Sequence, residues 1–199
     1  MDLDYYKIDP SLSSITMRAF TSSAFPASGN SPTLAVRDFA GWARFMPGTI
    51  EDASVQIRMS AASLAVVEDI GGASREEIVR TMTREILETD KYPEIVFCSS
   101  KASASRAGEG QYWVNLVGDL SLHGARNSEA LAAQILLIGE TLRAHGEMTL
   151  LQMAYNIEPK PIAGGALKLK NEMKCAFDLL AWRQPGHEHE AGEYSKSEA

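Results

Sequence analysis

The stretch "SREEIVRTMTREILETDKYPEIVFCSS", residues Ser74–Ser100, decides the fold because it sets one helix inside a chain of strands. Ser74 and Glu77 form an S-x-x-E capping box, a pattern that satisfies the free amides of a helix start. Pro93 biases the residue before it towards an extended conformation, so the helix must end before that point. The stretch therefore predicts a helix over Ser74–Thr89, followed by an apolar strand.

The predicted helix has one apolar face. Ile78, Met82 and Ile86 recur every four residues, which is the spacing of one side of an α-helix. A single amphipathic helix among strands has to lay this face on a sheet or over the mouth of a barrel. We therefore expect the helix to cover an apolar interior that the strands leave open.

Most of the remaining chain alternates between apolar and polar residues, as strands with one buried face do. In "QYWVNLVGDLSLHG", residues 111–124, one face carries apolar side chains and Gly118, and the other carries Trp113 and Asp119. The glycine on the apolar face predicts a bend or a close approach by another group. The same period of two occurs in "SSITMRAF" (13–20), "VRDFAGWARFMPG" (36–48), "ASVQIRMS" (53–60), "TLRAHGEMTLL" (141–151) and "EMKCAFDLLAW" (172–182).

Turn signals separate these runs: Pro47-Gly48 predicts a turn, and Gly139-Glu140 predicts a hairpin. Eight or nine strands in one sheet would leave two open edges, so closure into a barrel is expected. The predicted fold class is mainly β, an antiparallel barrel of about eight strands with one amphipathic α-helix. The interior of such a barrel is either filled by side chains or holds one small ligand.

Composition excludes several classes of partner. The formal net charge is -7 and the pI is near 5.1, so we expect no nucleic acid, which requires a basic face. Residues 1–14, "MDLDYYKIDPSLSS", lack the features of a secretory signal, and no apolar run is long enough to span a bilayer. These observations predict a cytoplasmic protein.

The chain is predicted to hold one folded domain and a tail. Residues 1–183 carry the strand and helix patterns, whereas residues 184–199, "QPGHEHEAGEYSKSEA", are polar, acidic and without periodicity. We predict that this tail is disordered. Its two histidines, His187 and His189, are expected to be solvated rather than metal-bound.

Several motifs in this order resemble the YceI-like family of polyisoprenoid-binding proteins. The resemblance rests on "YKIDPSLSSI" (6–15), "REILETDKYPEIVFCSS" (84–100), "VGDLSLHG" (117–124) and "MAYNIEPKPIAGGALKLKNEMKCAFDLLA" (153–181), and it extends over roughly Tyr5 to Trp182. "GARNSEALAAQ" (124–134) departs from the Gly-x-Thr-x-Pro usual in the family. The resemblance implies a lipocalin-like barrel with a helix, whose long apolar cavity binds a polyisoprenoid or another long amphiphile.

The apolar faces supply the candidate ligand-binding residues. These are Phe45, Ile57, Ile78, Met82, Ile86, Phe97, Val114, Leu116, Leu137, Leu142, Met148 and Phe177. The first hypothesis is therefore a non-enzymatic binder or carrier of a long-chain isoprenoid or lipid. The plainer alternative is that these side chains only fill a core, since apolar strand faces do so in every β protein.

No catalytic signature is present in the sequence. It contains no GxSxG, P-loop or GxGxxG motif, so we expect no enzyme and no cofactor. Cys98 and Cys175 lack the spacing of a redox pair and are expected to be buried thiols. His145 lies on a polar strand face, and His123 at a strand end is expected to cap a turn; a lipid-modifying enzyme that uses His123 is a third option.

A second class of function remains open. Trp42, Trp113 and Trp182 lie on the strand faces opposite the expected interior. Exposed aromatic side chains can mark a partner surface. The alternative hypothesis is therefore a filled-barrel interaction module, with a homodimer as its expected form.

Overall fold

The computed structural model describes residues 3–22, 32–46, 49–68, 72–162 and 167–185. Within these ranges the chain forms a sheet of twelve strands. In chain order they are β1 (Asp4–Ile8), β2 (Ser14–Ser22), β3 (Thr33–Val36), β4 (Phe39–Met46), β5 (Thr49–Ser60), β6 (Leu64–Val66), β7 (Glu94–Gly108), β8 (Gln111–Leu122), β9 (Ala125–Ile138), β10 (Thr141–Leu151), β11 (Pro161–Ile162) and β12 (Leu167–Arg183).

Eight of these strands close into an antiparallel barrel, as the sequence predicted. Their order around the ring is β1-β4-β5-β7-β8-β9-β10-β12, and β12 returns to β1 through the pair Tyr6↔Arg183. Closure removes the open edges that such a large sheet would otherwise expose.

Three short strands, β2, β3 and β6, continue the ring beyond its closed part. β1 and β2 pair with the same edge of β12 and are separated by a short 3-10 turn, Pro10–Leu12. Asp9 caps this turn, because its carboxylate accepts hydrogen bonds from the backbone N–H (3.0 Å) and the hydroxyl (2.6 Å) of Ser11. The Asp9-Pro10 turn therefore separates β1 from β2 while both strands stay paired with β12.

The helix differs from the sequence prediction at both ends. Helix α1 spans Gly72–Arg80 and continues as a π-helical turn over Thr81–Ile86, in place of the predicted Ser74–Thr89. Residue 74 therefore lies inside the helix and not at its N-cap. The side chain of Ser74 is outside the described part of the structure. The π-helical turn is defined by Leu87, whose N–H donates to Met82 O at 2.9 Å. Within this region the Thr83 hydroxyl donates to Val79 O at 2.8 Å.

Two strands are longer than their periodicity suggested. β7 runs on through Ser99–Gly108, where Ala102 and Ala104 pack against the core between small polar residues. β9 begins at Ala125 and so includes most of the "GARNSEALAAQ" segment. Alternation of alanine with serine or asparagine is too weak in hydropathy to be recognised as a strand pattern.

The two predicted turns have different outcomes. The hairpin at Gly139-Glu140 is confirmed by the pair Thr141↔Ile138 between β9 and β10. Pro47-Gly48 lies outside the described residues, although the flanking pair Met46↔Thr49 joins β4 to β5.

The core lies inside the barrel and under the helix. The predicted inward faces are confirmed: Val114, Leu116, Leu120 and Leu122 of β8 are all buried, while Trp113 on the opposite face is exposed. Among the helices of the described residues, none combines the length and apolarity needed to cross a bilayer.

Candidate ligand-binding cavity

The inside of the barrel contains an apolar cavity of about 160 Å3. All eight strands of the ring, together with β2, contribute to its wall, and every lining side chain in the described part of the chain is apolar. The lining residues are Ile8, Ile15, Met17, Ala43, Phe45, Ala53, Val55, Ile57, Met59, Ile95, Phe97, Val114, Leu116, Leu120, Leu122, Leu131, Ala133, Ile135, Leu142, Ala144, Met148, Leu150, Cys175, Ala176, Phe177, Leu179 and Ala181.

The structure brings most of the predicted site residues to this wall. The lining includes Phe45, Ile57, Phe97, Val114, Leu116, Leu142, Met148 and Phe177. Leu137 is inside the core near the β9–β10 turn but does not line the cavity. Binding of a ligand by these residues stays a prediction.

The three predicted helix residues are buried but lie away from the cavity. Ile78, Met82 and Ile86 are each about 4–5% exposed and belong to the same core cluster as the barrel wall. None of them lines the cavity, because the helix packs beside β6. The helix therefore seals the core with its apolar face instead of offering that face to the cavity.

Sequence reasoning omitted the small residues of the wall. Ala43, Ala53, Ala133 and Ala144 line the cavity, and they provide space that larger side chains would fill. All four share the parity of larger apolar residues in their strands. The period of two therefore places all four on the inner face, although alanine carries little apolar signal of its own.

Glycines inside the barrel make room for aromatic rings. A Cβ built on Gly118 would lie 2.7 Å from Cζ of Phe97, so the predicted close approach at Gly118 is confirmed. The pairing register of β7 and β8 shifts between Ser99 and Lys101, opposite this glycine. The Phe97 ring thus occupies wall space that any larger residue at position 118 would take.

Polar groups cluster at the helix end of the barrel. His123 and Gly124 both have positive φ, at 51° and 75°, as the two-residue β8–β9 turn requires. The His123 ring lies 3.0 Å from a carboxylate oxygen of Glu88 through Nε2, and 3.1 Å from the carbonyl oxygen of Tyr155 through Nδ1. The Tyr92 ring packs on the imidazole with a centroid separation of 4.5 Å. The His123 ring therefore ties the turn to the segment after the helix, through Glu88, and to the backbone at Tyr155.

A second polar pair lies where β9 and β10 separate. Their pairing stops at Glu147↔Ala132, and the 3-10 segment Gln152–Tyr155 packs against the free part of β9. The hydroxyl of Tyr155, a fully buried residue, donates to the Glu129 carboxylate at 2.6 Å. Burial, and then this hydrogen bond, raise the pKa of Tyr155 well above its ordinary value.

The remaining candidate groups are the two cysteines and the histidines other than His123. Cys98 and Cys175 are both free thiols and half-buried, whereas the sequence predicted buried thiols. Cys175 lines the cavity, where burial raises its pKa to about 12. His145 is exposed on β10, while His187 and His189 lie outside the described residues. In the described ranges, no three His, Cys, Asp or Glu side chains come together as metal ligands.

The closed eight-stranded antiparallel ring and its apolar cavity define a small β-barrel, a class whose interior is either filled by side chains or holds one small ligand. The sequence matches the model of the YceI-like domain over residues 6–181. The protein belongs to the YceI-like domain family, which confirms the resemblance noted in its motifs. Comparison with curated proteins gave no match.

Solved structures share this fold at low sequence identity. BcnA of Burkholderia cenocepacia has a TM-score of 0.66 and 17% identity, covering 87% of this chain and 98% of its own. A polyisoprenoid binding domain from Saccharophagus degradans, implicated in plant cell wall breakdown, has a TM-score of 0.65 and 13% identity, with 90% and 98% covered. The Campylobacter jejuni YceI protein has a TM-score of 0.60 and 12% identity, with 84% and 92% covered.

Proposed function

We propose that the barrel binds and carries one molecule with a long apolar chain, a polyisoprenoid or a similar lipid. The observation that carries this proposal is the cavity inside the barrel, to which every strand of the ring contributes apolar side chains. Membership of the YceI-like family and the fold shared with a polyisoprenoid binding domain support it.

The hydrophobic effect alone can drive such binding. Removing apolar surface from water stabilises a complex by roughly 25 cal/mol per Å2, and a long hydrocarbon chain brings a large area into the barrel. A hydrocarbon needs no partner for charge or hydrogen bonds, which fits the apolar side chains that the described residues contribute to the wall.

The cavity has to enlarge to take a long chain. Its volume of about 160 Å3 is close to that of an engineered cavity of about 150 Å3 that binds benzene. Met17, Met59 and Met148 line the wall, and methionine side chains adapt readily because they are unbranched and have three rotatable bonds. We propose that these methionines rotate aside as the ligand enters.

Binding of this kind requires no catalytic group. Both ring nitrogens of His123 are engaged, by Glu88 and by the Tyr155 carbonyl, which supports a structural role over lipid modification. We therefore infer a binding protein and not an enzyme.

Native mass spectrometry of the purified protein, followed by solvent extraction, tests the proposal. We expect a stoichiometric long-chain species with each chain. Protein that is isolated free of ligand and also fails to take up an apolar fluorescent dye such as 1-N-phenylnaphthylamine would overturn the proposal.

A homodimeric interaction module is the second candidate, and the exposed tryptophans favour it. Trp113 is 52% exposed and Trp182 is 45% exposed, both on the outer face of the barrel. If they form a dimer interface, light scattering will give the mass of a dimer for the wild type and a monomer for Trp113→Ala. A monomer in both cases removes this candidate.

We also propose that the protein is cytoplasmic. Fractionation of cells that express the natural gene, followed by immunodetection, tests this location, and recovery outside the cytoplasm would contradict it.

A further inference from the structure

Glu129 is an acidic residue on the inner face of the barrel wall. It lies on β9 with the same parity as Leu131, Ala133 and Ile135, all of which line the cavity. The residue is half-buried, and its negative charge contributes to the raised pKa of the cavity-lining Cys175. Glu129 is not itself one of the cavity-lining residues; it lies two residues beyond the lining Leu131 on the same strand face, opposite Gly118 of β8, at the level where β9 leaves β10.

A hydrogen bond from Tyr155 holds the Glu129 carboxylate in position. Tyr155 is fully buried, and its hydroxyl donates to Oε1 of Glu129 at 2.6 Å. Asn127, two residues away on the same face, donates from Nδ2 to the carbonyl oxygen of Ala154 at 2.7 Å. These two bonds hold the 3-10 segment Gln152–Tyr155 against β9.

The carboxylate keeps capacity for a further partner. A carboxylate accepts hydrogen bonds through both oxygens, at about four lone-pair sites. Among the described residues, Oε2 of Glu129 has no hydrogen-bond partner, whereas Oε1 is taken by Tyr155. A donor that reached the end of the cavity could therefore bind Glu129 without displacing Tyr155.

The negative charge of Glu129 determines which kind of head group can bind at this end of the cavity. None of the described residues that line it is lysine, arginine or histidine. An anionic head group at this end of the cavity would meet the negative charge of Glu129, and like-charge contacts of this kind are unfavourable. A neutral hydroxyl group would instead donate a hydrogen bond to the carboxylate, and bonds to ionised acceptors are the stronger kind.

We propose that Glu129, held in place by Tyr155, binds the head group of the ligand, and that this head group is an uncharged hydrogen-bond donor such as an alcohol. Chains that end in a carboxylate or a phosphate are disfavoured. This inference rests on the proposed function. It adds one polar residue, Glu129, that selects the ligand's head group beside a cavity that binds the apolar chain.

Competition with matched twelve-carbon probes tests the inference. Bound 1-N-phenylnaphthylamine is displaced at pH 8 by 1-dodecanol, by methyl dodecanoate, or by dodecanoate below its micelle concentration. We expect 1-dodecanol to bind at least ~10-fold more tightly than dodecanoate, since a difference of about 1.4 kcal/mol is tenfold. Methyl dodecanoate, which is neutral but cannot donate, should lie between them. Dodecanoate binding as tightly as 1-dodecanol overturns the inference.

Two variants test whether Glu129 causes the preference for 1-dodecanol over dodecanoate. Glu129→Gln keeps the shape but removes the charge, so dodecanoate should bind ~10-fold more tightly and the preference should fall towards one. Glu147→Gln is the matched control, because it removes an exposed carboxylate from the outer face of β10 and should leave the preference unchanged. An unchanged preference in Glu129→Gln contradicts the inference. If that variant does not fold, the order of the three probes on the wild type decides.

The same assay separates this inference from the proposed function. Failure of the wild type to bind the dye or any of the three probes would reject the proposed function itself. Tight dye binding with equal displacement by all three probes would leave the proposed function intact and reject only the role of Glu129.

Discussion

Phe177 on β12 lies directly opposite Gly146 on β10, and its ring fills the space that a side chain at position 146 would need. A Cβ built on Gly146 would lie 2.7 Å from Cζ of Phe177. Since Phe177 also lines the cavity, this pair sets the position of one aromatic wall group.

Gly146→Ala should therefore destabilise the barrel. The added methyl group would clash with the backbone oxygen of Ala132 as well as with the Phe177 ring, and overpacking costs about 1–3 kcal/mol. Urea unfolding followed by circular dichroism measures the change in the free energy of unfolding. Gly108→Ala is the control, since its Cβ would only make an ordinary contact with Gln111 at 3.5 Å. A Gly146→Ala variant as stable as the wild type would show that the Ala132 backbone and the Phe177 ring both move aside without cost.

Adjacent alanines on β9 allow a matched test of the cavity. Ala133 lines the cavity, whereas Ala132 is exposed on the outer face. Ala133→Phe places a ring inside the cavity and should weaken dye binding at least ~10-fold, which is about 1.4 kcal/mol. Ala132→Phe adds the same ring outside and should leave binding unchanged. Equal affinities for the two variants, measured by fluorescence titration, would place the binding site elsewhere.

Removal of the Tyr155 hydroxyl should destabilise the protein through Glu129. Tyr155→Phe loses a hydrogen bond to a charged group, which costs about 1.5–3 kcal/mol. A double-mutant cycle with Glu129→Gln isolates the pair, and we expect a coupling energy above about 0.5 kcal/mol. Strictly additive losses in urea unfolding would mean that the two side chains do not depend on each other.

Alkaline pH should destabilise the barrel through Cys175. Its pKa is raised by burial from 9.0 to about 12 in the folded chain, so above pH 9 the unfolded chain loses a proton that the folded chain retains. The stabilisation is complete below pH 9, and about 1 kcal/mol of it is lost between pH 9 and pH 10. The raised pKa of Tyr155 acts in the same direction, but only above pH 10.

Comparison of the wild type with Cys175→Ala measures this contribution. Over the same interval the variant should lose about 1 kcal/mol less of its free energy of unfolding, because it has no thiol to ionise. Identical losses between pH 9 and pH 10 would show that the Cys175 thiol is not held protonated by the fold.

Much of the barrel wall could be predicted from single strands. The alternation along β8 correctly assigned Val114 and Leu116 to the interior and Trp113 to the surface. The same pattern correctly assigned Leu142 and Phe177, because in a strand the facing of each side chain follows from local backbone geometry.

The ends of the helix could not be predicted in the same way. The Ser74/Glu77 pattern indicated a start at position 74, but the helix begins at Gly72. Its last turn is π-helical, with Leu87 bonded to Met82. Such choices depend on how the buried side chains of the turn fit the core, and this packing has no signature in a single segment.

The sequence by itself determined an antiparallel barrel of about eight strands, one amphipathic helix and an apolar interior, because these follow from the period of its hydrophobic residues. Only the tertiary structure decided that the helix face stays outside the cavity and that Glu129 meets Tyr155. Those two residues are distant in the chain, and they meet because β9 separates from β10 after Glu147↔Ala132. Contacts of this kind depend on how strands separate and segments fold back, which no local pattern encodes.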